Sequence, residues 1–388
     1  MSDKKILYIS TAKDRHDKRE WSGTVYYSLH ALEAAGYTVD YLCALNDIKQ
    51  DVVDKLWVRY WCWIAEHLKK NVRFDESFYT ARMMRRVLAK IDYSGYDIIF
   101  VPTDMCIVSA LPSHVKQKIV HLVDAPVQSL FEYYTEFSNL TRQNRLEAAI
   151  LTKRAFRRAD LIIASSAWCK NEAVKHCGVA TDKIAVVEFG ANMDDVDIPE
   201  IIHDYNPSKP LRIYWSGVNW VRKGGEVAFD CCKELIRRGH DIEFHITGMR
   251  ELPEGTENQP WVYNHGFLNK NNPDEYRRLI EIMSQQDIFL FPSRAECSSI
   301  ALCEANAFGL PCFVYDTGGT ANYVRNGHNG YMLPLSANGM DFADKIEWCR
   351  KTDVISEMSK TARRTYLEKL NWTTWRNKVS SAISNIYE

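Results

Sequence analysis

The sequence has almost no net charge: 49 Lys and Arg stand against 50 Asp and Glu, for −1 at pH 7. A chain so balanced has no whole-molecule field to hold a polyanion, which argues against nucleic acid as a partner. Its eleven cysteines are scattered with no C-x-x-C pair, so they read as free thiols of a reducing compartment. No apolar run approaches the length of a membrane span. The apolar part of the first ten residues, MSDKKILYIS, is too short for the core of a signal peptide. Short-period repeats and low-complexity segments are absent. So is a G-x-G-x-x-G after the first strand, which removes a nicotinamide-dependent oxidoreductase from consideration. These absences lead to the expectation of a soluble cytoplasmic protein. What is present is length for two domains (388 residues) and 46% hydrophobic residues, enough for real cores.

The most informative stretch is 287–334, DIFLFPSRAECSSIALCEANAFGLPCFVYDTGGTANYVRNGHNGYMLP. It opens with a strand-length apolar run, 287–291, closed by Pro292 and Ser293. A loop with Arg294, Glu296 and Cys297 follows. Ser298 and Ser299 stand where a helix N-cap should stand, since a Ser hydroxyl can accept from an orphan N–H of the first turn. Ile300, Ala301, Ala305 and Phe308 give that helix an apolar face. Gly309 takes the C′ position, with Pro311 two residues on. A second apolar strand, 313–315, leads to a turn at Gly318 and Gly319. In open α/β sheets ligands bind at the carboxyl ends of strands. A helix starting there offers unpaired N–H groups and the positive end of its dipole, which suits a phosphate. Glu296 in the loop and Glu304 in the helix are acceptor-only carboxylates, suited to sugar hydroxyls.

The pattern P-S-R-x-E-x7-E-A-x-A-x-G-x-P, followed by G-G and N-G, resembles the retaining nucleotide-sugar glycosyltransferases of family 4. The resemblance covers most of the chain and is strongest in its C-terminal half. It implies the GT-B fold: two doubly wound, Rossmann-like α/β domains facing a central cleft. Glu296 and Glu304 match the two Glu of the family's E-x7-E. The resemblance implies that Glu296 holds and orients the donor sugar and that Glu304 holds the ribose hydroxyls. Arg294, Ser298, Ser299 and Ile300, around the helix start, belong to the same donor site. Where the family usually has Gly-Phe-Gly after the first Glu, this chain has Cys297-Ser298-Ser299.

The N-terminal half reads as a first doubly wound domain, 1–192. A strand at 5–10 and a polar loop lead to Gly23 and a helix that ends near Gly36. Gly23 would let the backbone approach a phosphate or sugar closely, and in the family a glycine-bearing loop at this point faces the donor across the cleft. Further strands are read at 39–45, 97–101, 119–123, 161–164 and 184–188, with an amphipathic basic helix over 143–158. Asp124 stands at the carboxyl end of 119–123, where the family often carries a His or Asp touching the donor sugar; His121 is the neighbouring candidate.

Residues 193–210 are acidic and proline-bearing and read as the linker. They hold Asp195-Val196-Asp197, a D-x-D away from any strand end, which is not read as a metal site. The second domain, 211–388, opens with a strand at 211–216. The family's G-R-x4-K-G, whose Arg and Lys hold the diphosphate, is matched by Gly217 and Lys223. Val218 stands in place of the Arg, so Arg222 is the candidate replacement. A strand at 242–247 follows. The stretch 265–268, with Gly266 and Phe267, matches the family's segment whose backbone meets the nucleobase. Helices occupy 341–387, and Trp372 and Trp375 resemble the family's final helix, which crosses back onto the first domain.

The resemblance implies a donor nucleotide sugar, with UDP favoured on family frequency. It implies no cofactor and no metal, the nucleotide sugar being a substrate. The acceptor is expected on the first domain and is a glycan, a lipid or a small molecule. Two other readings stay open: a GT-B enzyme of another reaction, phosphorylase or 2-epimerase, and a non-catalytic nucleotide-sugar-binding protein. The stretch 55–90 bears on the acceptor. Its basic residues are Lys55, Arg59, Lys69, Lys70, Arg73, Arg82, Arg85, Arg86 and Lys90, against Glu66, Asp75 and Glu76. With Trp57, Trp61 and Trp63 at roughly helical spacing, it is suited to the interface of an anionic membrane, which would place the protein at that membrane's inner face. The alternative is an aromatic stripe packed in the core with a solvated basic back.

Overall fold

The computed structural model describes residues 4–46, 50–200 and 205–388. Part of the expected linker, 201–204, lies outside these. The chain forms two compact units, Met1–Val187 with Arg376–Glu388, and Glu188–Trp375.

The first unit holds a six-stranded sheet of β1 (Lys5–Ser10), β2 (Thr38–Cys43), β3 (Ile98–Pro102), β4 (Lys118–Val123), β5 (Leu161–Ala164) and β6 (Ile184–Val186). The order is β2-β1-β3-β4-β5-β6 and every pairing is parallel. Parallel strands are covered on both faces, so they are apolar almost without a break; β3 and β5 are buried throughout. Its helices are α1 (Thr24–Ala34), α2 (Val52–Leu68), α3 (Phe78–Leu88), α4 (Met105–Ala110), α5 (Arg142–Arg158) and α6 (Ala167–Cys177).

The region 55–90 is two helices, and the structure divides its residues. Trp61 is buried and Trp57 half-buried, whereas Trp63 is exposed. The three indoles do not share a face, because a helix advances 100° per residue and spacings of 4 and 2 diverge. Arg86 reaches both Asp51 and Asp54 at 2.6 Å, and Arg82 lies 3.5 Å from each. Arg73 pairs with Glu76 at 2.8 Å. Thus three of the nine cations are neutralised locally, two of them by acids just ahead of the stretch. What remains outward on α2 is a stripe of apolar side chains: Val52 (72% exposed), Leu56 (59%), Tyr60 (55%) and Trp63 (55%). Lys55 and Arg59 run alongside it, with Lys69 and Lys70 just past its end, all exposed.

The second unit holds β7 (Leu211–Ser216), β8 (Ile242–Thr247), β9 (Val262–Asn264), β10 (Ile288–Phe291), β11 (Cys312–Tyr315) and β12 (Gly330–Leu333). The order β12-β11-β10-β7-β8-β9, again all parallel, is the 3-2-1-4-5-6 order of a doubly wound nucleotide-binding sheet. The order reverses between β7 and β10, which makes the carboxyl ends of those two strands the binding crevice. Helices α7 (Gly225–Arg237), α8 (Pro273–Met283), α9 (Ile300–Ala307), α10 (Gly339–Lys351) and α11 (Ile355–Glu368) complete the unit, and α12 (Trp372–Asn385) starts in it and ends in the first.

The division between the units falls after Val187, ahead of the 193–210 stretch. The cause is a set of bonds that tie 188–195 to the second unit. Glu188 pairs with Lys369 at 3.0 Å, Asn192 accepts from Trp372 Nε1, and Tyr276 OH accepts from the N–H of Asp194. Asp195 of the D-x-D accepts from the Tyr366 hydroxyl and stands in a 3-10 turn. At the other crossing, Tyr387 donates to the carbonyl of Asp97 within the first unit.

Candidate active site

Loops at the carboxyl ends of β7, β10 and β11 meet at the switch point of the second sheet. Arg294 N–H donates to the carbonyl of Arg222 at 2.9 Å, Gly319 N–H to that of Glu296 at 3.0 Å, and Thr317 Oγ1 to that of Arg294 at 3.2 Å. The joint is close because Gly224 has φ +69°, and a Cβ there would lie 1.9 Å from the carbonyl oxygen of Pro292. Gly248, at φ +95°, also lies close, since a Cβ there would come 2.5 Å from the carbonyl oxygen of Gly217. Only glycine takes these conformations without strain and leaves room for the facing backbone.

On this joint Lys223 Nζ donates to Glu296 Oε1 at 2.5 Å, and Ser293 Oγ donates to the same oxygen at 2.6 Å. Arg222 lies 3.7 Å from it and donates to the carbonyl of Ala295. Glu296 is 4% exposed. Burial pulls the Lys223 ammonium below its ordinary pKa, and Glu296 opposes that pull. Phe291 lies under Lys223, its ring centre 4.9 Å from Nζ. The structure thus brings Lys223, Arg222 and Glu296 together, although Val218 stands exposed where an Arg was expected. Arg222 supplies the second cation at the carboxylate.

A second pair lies on α9 and the loop after β9. Lys270 bonds Glu304 Oε1 and donates to the carbonyl of Asn192 at 3.2 Å. Both side chains are mostly buried. Sequence reading missed Lys270, because its partner lies 34 residues away; its one local signal is its place in the polar run that follows Gly266 and Phe267. It missed Ser293 as well, having read that residue as the end of a strand.

The remaining expected residues fall as follows. Ser299 is the N-cap residue of α9, but its hydroxyl makes no capping bond, which corrects the expectation drawn from its side chain. Ser298 and Ile300 are half-buried at the same turn. Arg294 is exposed, over the ring of Tyr315. Gly266 has φ +76° and Phe267 is exposed. Gly23 and Asp124 belong to the first unit. Gly23 (φ +94°) follows Trp21 (φ +49°) and Ser22 (φ +58°), three left-handed residues in a row between β1 and α1. Such strain persists only where surrounding structure fixes it, and it clusters at functional turns. Asp124 is half-buried beyond β4. His121 is core: wholly buried, bonded to the carbonyl of Val101, edge-on to Phe156, with burial lowering its pKa to about 4.

Two all-parallel sheets, the second with buried cations and carboxylates at its switch point, define the GT-B class of fold. A crystal structure of Anabaena HepE in complex with UDP-glucose has this fold, with a TM-score of 0.65 at 14% identity over 98% of this chain and 100% of that one. A family model described as Glycosyltransferase Family 4 matches residues 23–195, and one described as Glycosyl transferases group 1 matches 210–351. The chain belongs to the family 4 glycosyltransferases. It is 24% identical over 286 residues to a protein of Salmonella typhimurium named as a colanic acid biosynthesis glycosyltransferase, WcaL; the match covers 69% of this chain and 64% of that relative, so under two thirds of its length. It is 31% identical over 91 residues to the Escherichia coli UDP-Gal:alpha-D-GlcNAc-diphosphoundecaprenol alpha-1,3-galactosyltransferase, 23% of each chain.

Proposed function

We propose that the protein is a retaining glycosyltransferase that moves a hexose-type sugar from a nucleoside diphosphate sugar, UDP favoured, to an acceptor hydroxyl. The observation that carries this reading is the Lys223–Glu296 pair at the switch point, with Arg222 beside it. In the reaction the diphosphate gains charge as the glycosidic bond to it breaks. Lys223 and the first-turn N–H groups of α9 stabilise that charge with bonds that strengthen as it develops. Glu296, fixed by Ser293, orients the donor sugar through its hydroxyls. Glu304 holds the ribose. Retention follows if the acceptor attacks from the face the diphosphate leaves, which requires no covalent nucleophile. Positive charge from fixed side chains and a helix terminus makes a metal ion unnecessary to this scheme.

A thermal-shift screen with UDP-, GDP- and ADP-sugars tests the donor. A ligand at ~100 times its dissociation constant stabilises by about 2.7 kcal/mol. Release of nucleoside diphosphate with transfer to an added acceptor supports the reading. Binding with neither transfer nor hydrolysis would favour a non-catalytic sugar-nucleotide-binding protein. A visible absorbance band from pyridoxal phosphate would favour a phosphorylase.

The acceptor reading is a lipid-linked glycan at an anionic membrane. Its support is the outward apolar stripe of α2 with Lys55, Arg59, Lys69 and Lys70 around it, together with the polyprenyl-linked substrate in the name of the Escherichia coli relative. Amphipathic helices of this kind bind interfaces by apolar burial plus attraction to anionic lipid. Co-sedimentation with phosphatidylglycerol vesicles at low salt, lost in Leu56→Asp and Trp63→Asp and weakened at ~0.15 M salt, supports it. No sedimentation at low salt sinks it and leaves a soluble acceptor.

A further inference from the structure

We infer that Lys270 is a donor-binding residue that works with Glu304 as a clamp on a vicinal diol and gives the site its preference for ribonucleotides over 2′-deoxyribonucleotides. The inference rests on the reading above, in which Glu304 meets the ribose.

An isolated carboxylate accepts hydrogen bonds and nothing else, while an ammonium only donates, with three protons. Lys270 spends one proton on Glu304 Oε1 and one on the carbonyl of Asn192, which leaves a third. A carboxylate has about four lone-pair sites, so Glu304 retains capacity after Lys270 has taken its share. A ribose presents two adjacent hydroxyls, each both donor and acceptor. One can donate to Glu304 while its neighbour accepts from Lys270. A carboxylate alone would bind either hydroxyl, whereas the pair has a group for each. Most of both side chains is withdrawn from water, so competition from solvent is weakened and an unmet partner is costly.

Lys270 also stands on a backbone that its neighbours fix. Glu275 Oε2 accepts from Asn269 N–H at 2.7 Å and Asn269 Oδ1 from Asn271 N–H at 3.0 Å. Asn272 then caps α8 through the N–H groups of Asp274 and Glu275. The ammonium is therefore held in place before any ligand arrives, as a site that discriminates by single hydrogen bonds requires.

The test compares UDP with 2′-deoxy-UDP by calorimetry on wild type, Lys270→Met, Lys270→Gln and Lys270→Arg, with thermal melting as the folding control. Wild type is expected to favour UDP by roughly tenfold or more, the effect of leaving one buried polar partner unmet. Lys270→Met and Lys270→Gln are expected to weaken UDP far more than 2′-deoxy-UDP, so that the ratio falls towards unity, and Lys270→Arg to restore part of it. A residue that only packed the loop would weaken both ligands equally. An unchanged ratio in Lys270→Met and Lys270→Gln, with UDP still bound, would overturn the inference alone. No binding of UDP, GDP or ADP to wild type would overturn the donor reading and this inference with it.

Discussion

At the scale of single residues, the site is a set of charges withdrawn from water and matched to one another. Lys223→Met and Glu296→Ala are each expected to lower transfer by ~10²–10³, the loss of roughly 2.7–4 kcal/mol of transition-state stabilisation. The fold should survive Lys223→Met, since Ser293 and Arg222 still serve Glu296, whereas Glu296→Ala leaves the buried Lys223 ammonium without its carboxylate, so its turnover is read together with its melting. Near-normal turnover in both variants would remove them from the site. Glu304→Gln is expected to weaken the free diphosphate and the sugar-bearing donor alike, whereas Glu296→Gln weakens mainly the donor; titration with both ligands distinguishes the roles. A carboxyl outside the site acts on stability. Asp104 caps α4 by accepting from Ile107 N–H, and burial raises its pKa to about 7. The native state thus holds a proton on Asp104 where the unfolded chain, with a carboxyl near 3.8, has released it. Its contribution is greatest at low pH and is lost as pH rises between roughly 4 and 7. Asp104→Asn keeps a cap without a charge, so the variant is expected to gain stability relative to wild type at pH 8 and to lose that advantage near pH 5, as read by denaturant unfolding.

At the scale of elements, the strands of the two sheets were legible because parallel strands buried on both faces are written as apolar runs. Those at 5–10, 161–164, 211–216 and 242–247 are found where the sequence places them. β9 and β12 were not read: they are three and four residues long, stand at the sheet's two edges and are half-open to solvent. α8 was passed over although Asn272 and Pro273 announce its start. Glu296, Glu304 and Lys223 were singled out by their motifs' resemblance to the family, and the structure sets Lys223 against Glu296. Lys270 and the pairing of Arg82 and Arg86 with Asp51 and Asp54 were not legible, because periodicity carries no information about which distant side chains face one another. The joint between the β7 and β10 loops makes a prediction at this scale. Gly224→Ala must place a Cβ against the Pro292 carbonyl in a left-handed conformation that alone costs roughly 1–2 kcal/mol. The variant is expected to melt several degrees lower and to lose donor binding with it, whereas Gly239→Ala, with φ +88° but open space around it, pays only the conformational term. Equal melting shifts for the two would show that the loops can part.

At the scale of the whole molecule, near-neutrality has its own effect. With a sequence pI near 6.8, repulsion between copies is weakest close to neutral pH. Light scattering is expected to rise as the pH approaches that value and to fall at pH 8 or above, so vesicle and nucleotide titrations should be run at the higher pH. No helix among the described residues is long and apolar enough to cross a membrane. The proposed attachment to a bilayer through α2 is therefore a local matter of one stripe and the cations around it rather than of overall charge.

Of the eleven cysteines, Cys62 is exposed and the rest are buried. It stands on α2 in the row Lys55, Arg59, Cys62, Glu66, beside the apolar stripe. A natural sulfhydryl in that position is a ready-made handle. One maleimide fluorophore, attached without altering the sequence, would sit next to the surface in question and report by its colour and quenching whether that surface meets lipid, acceptor or only water.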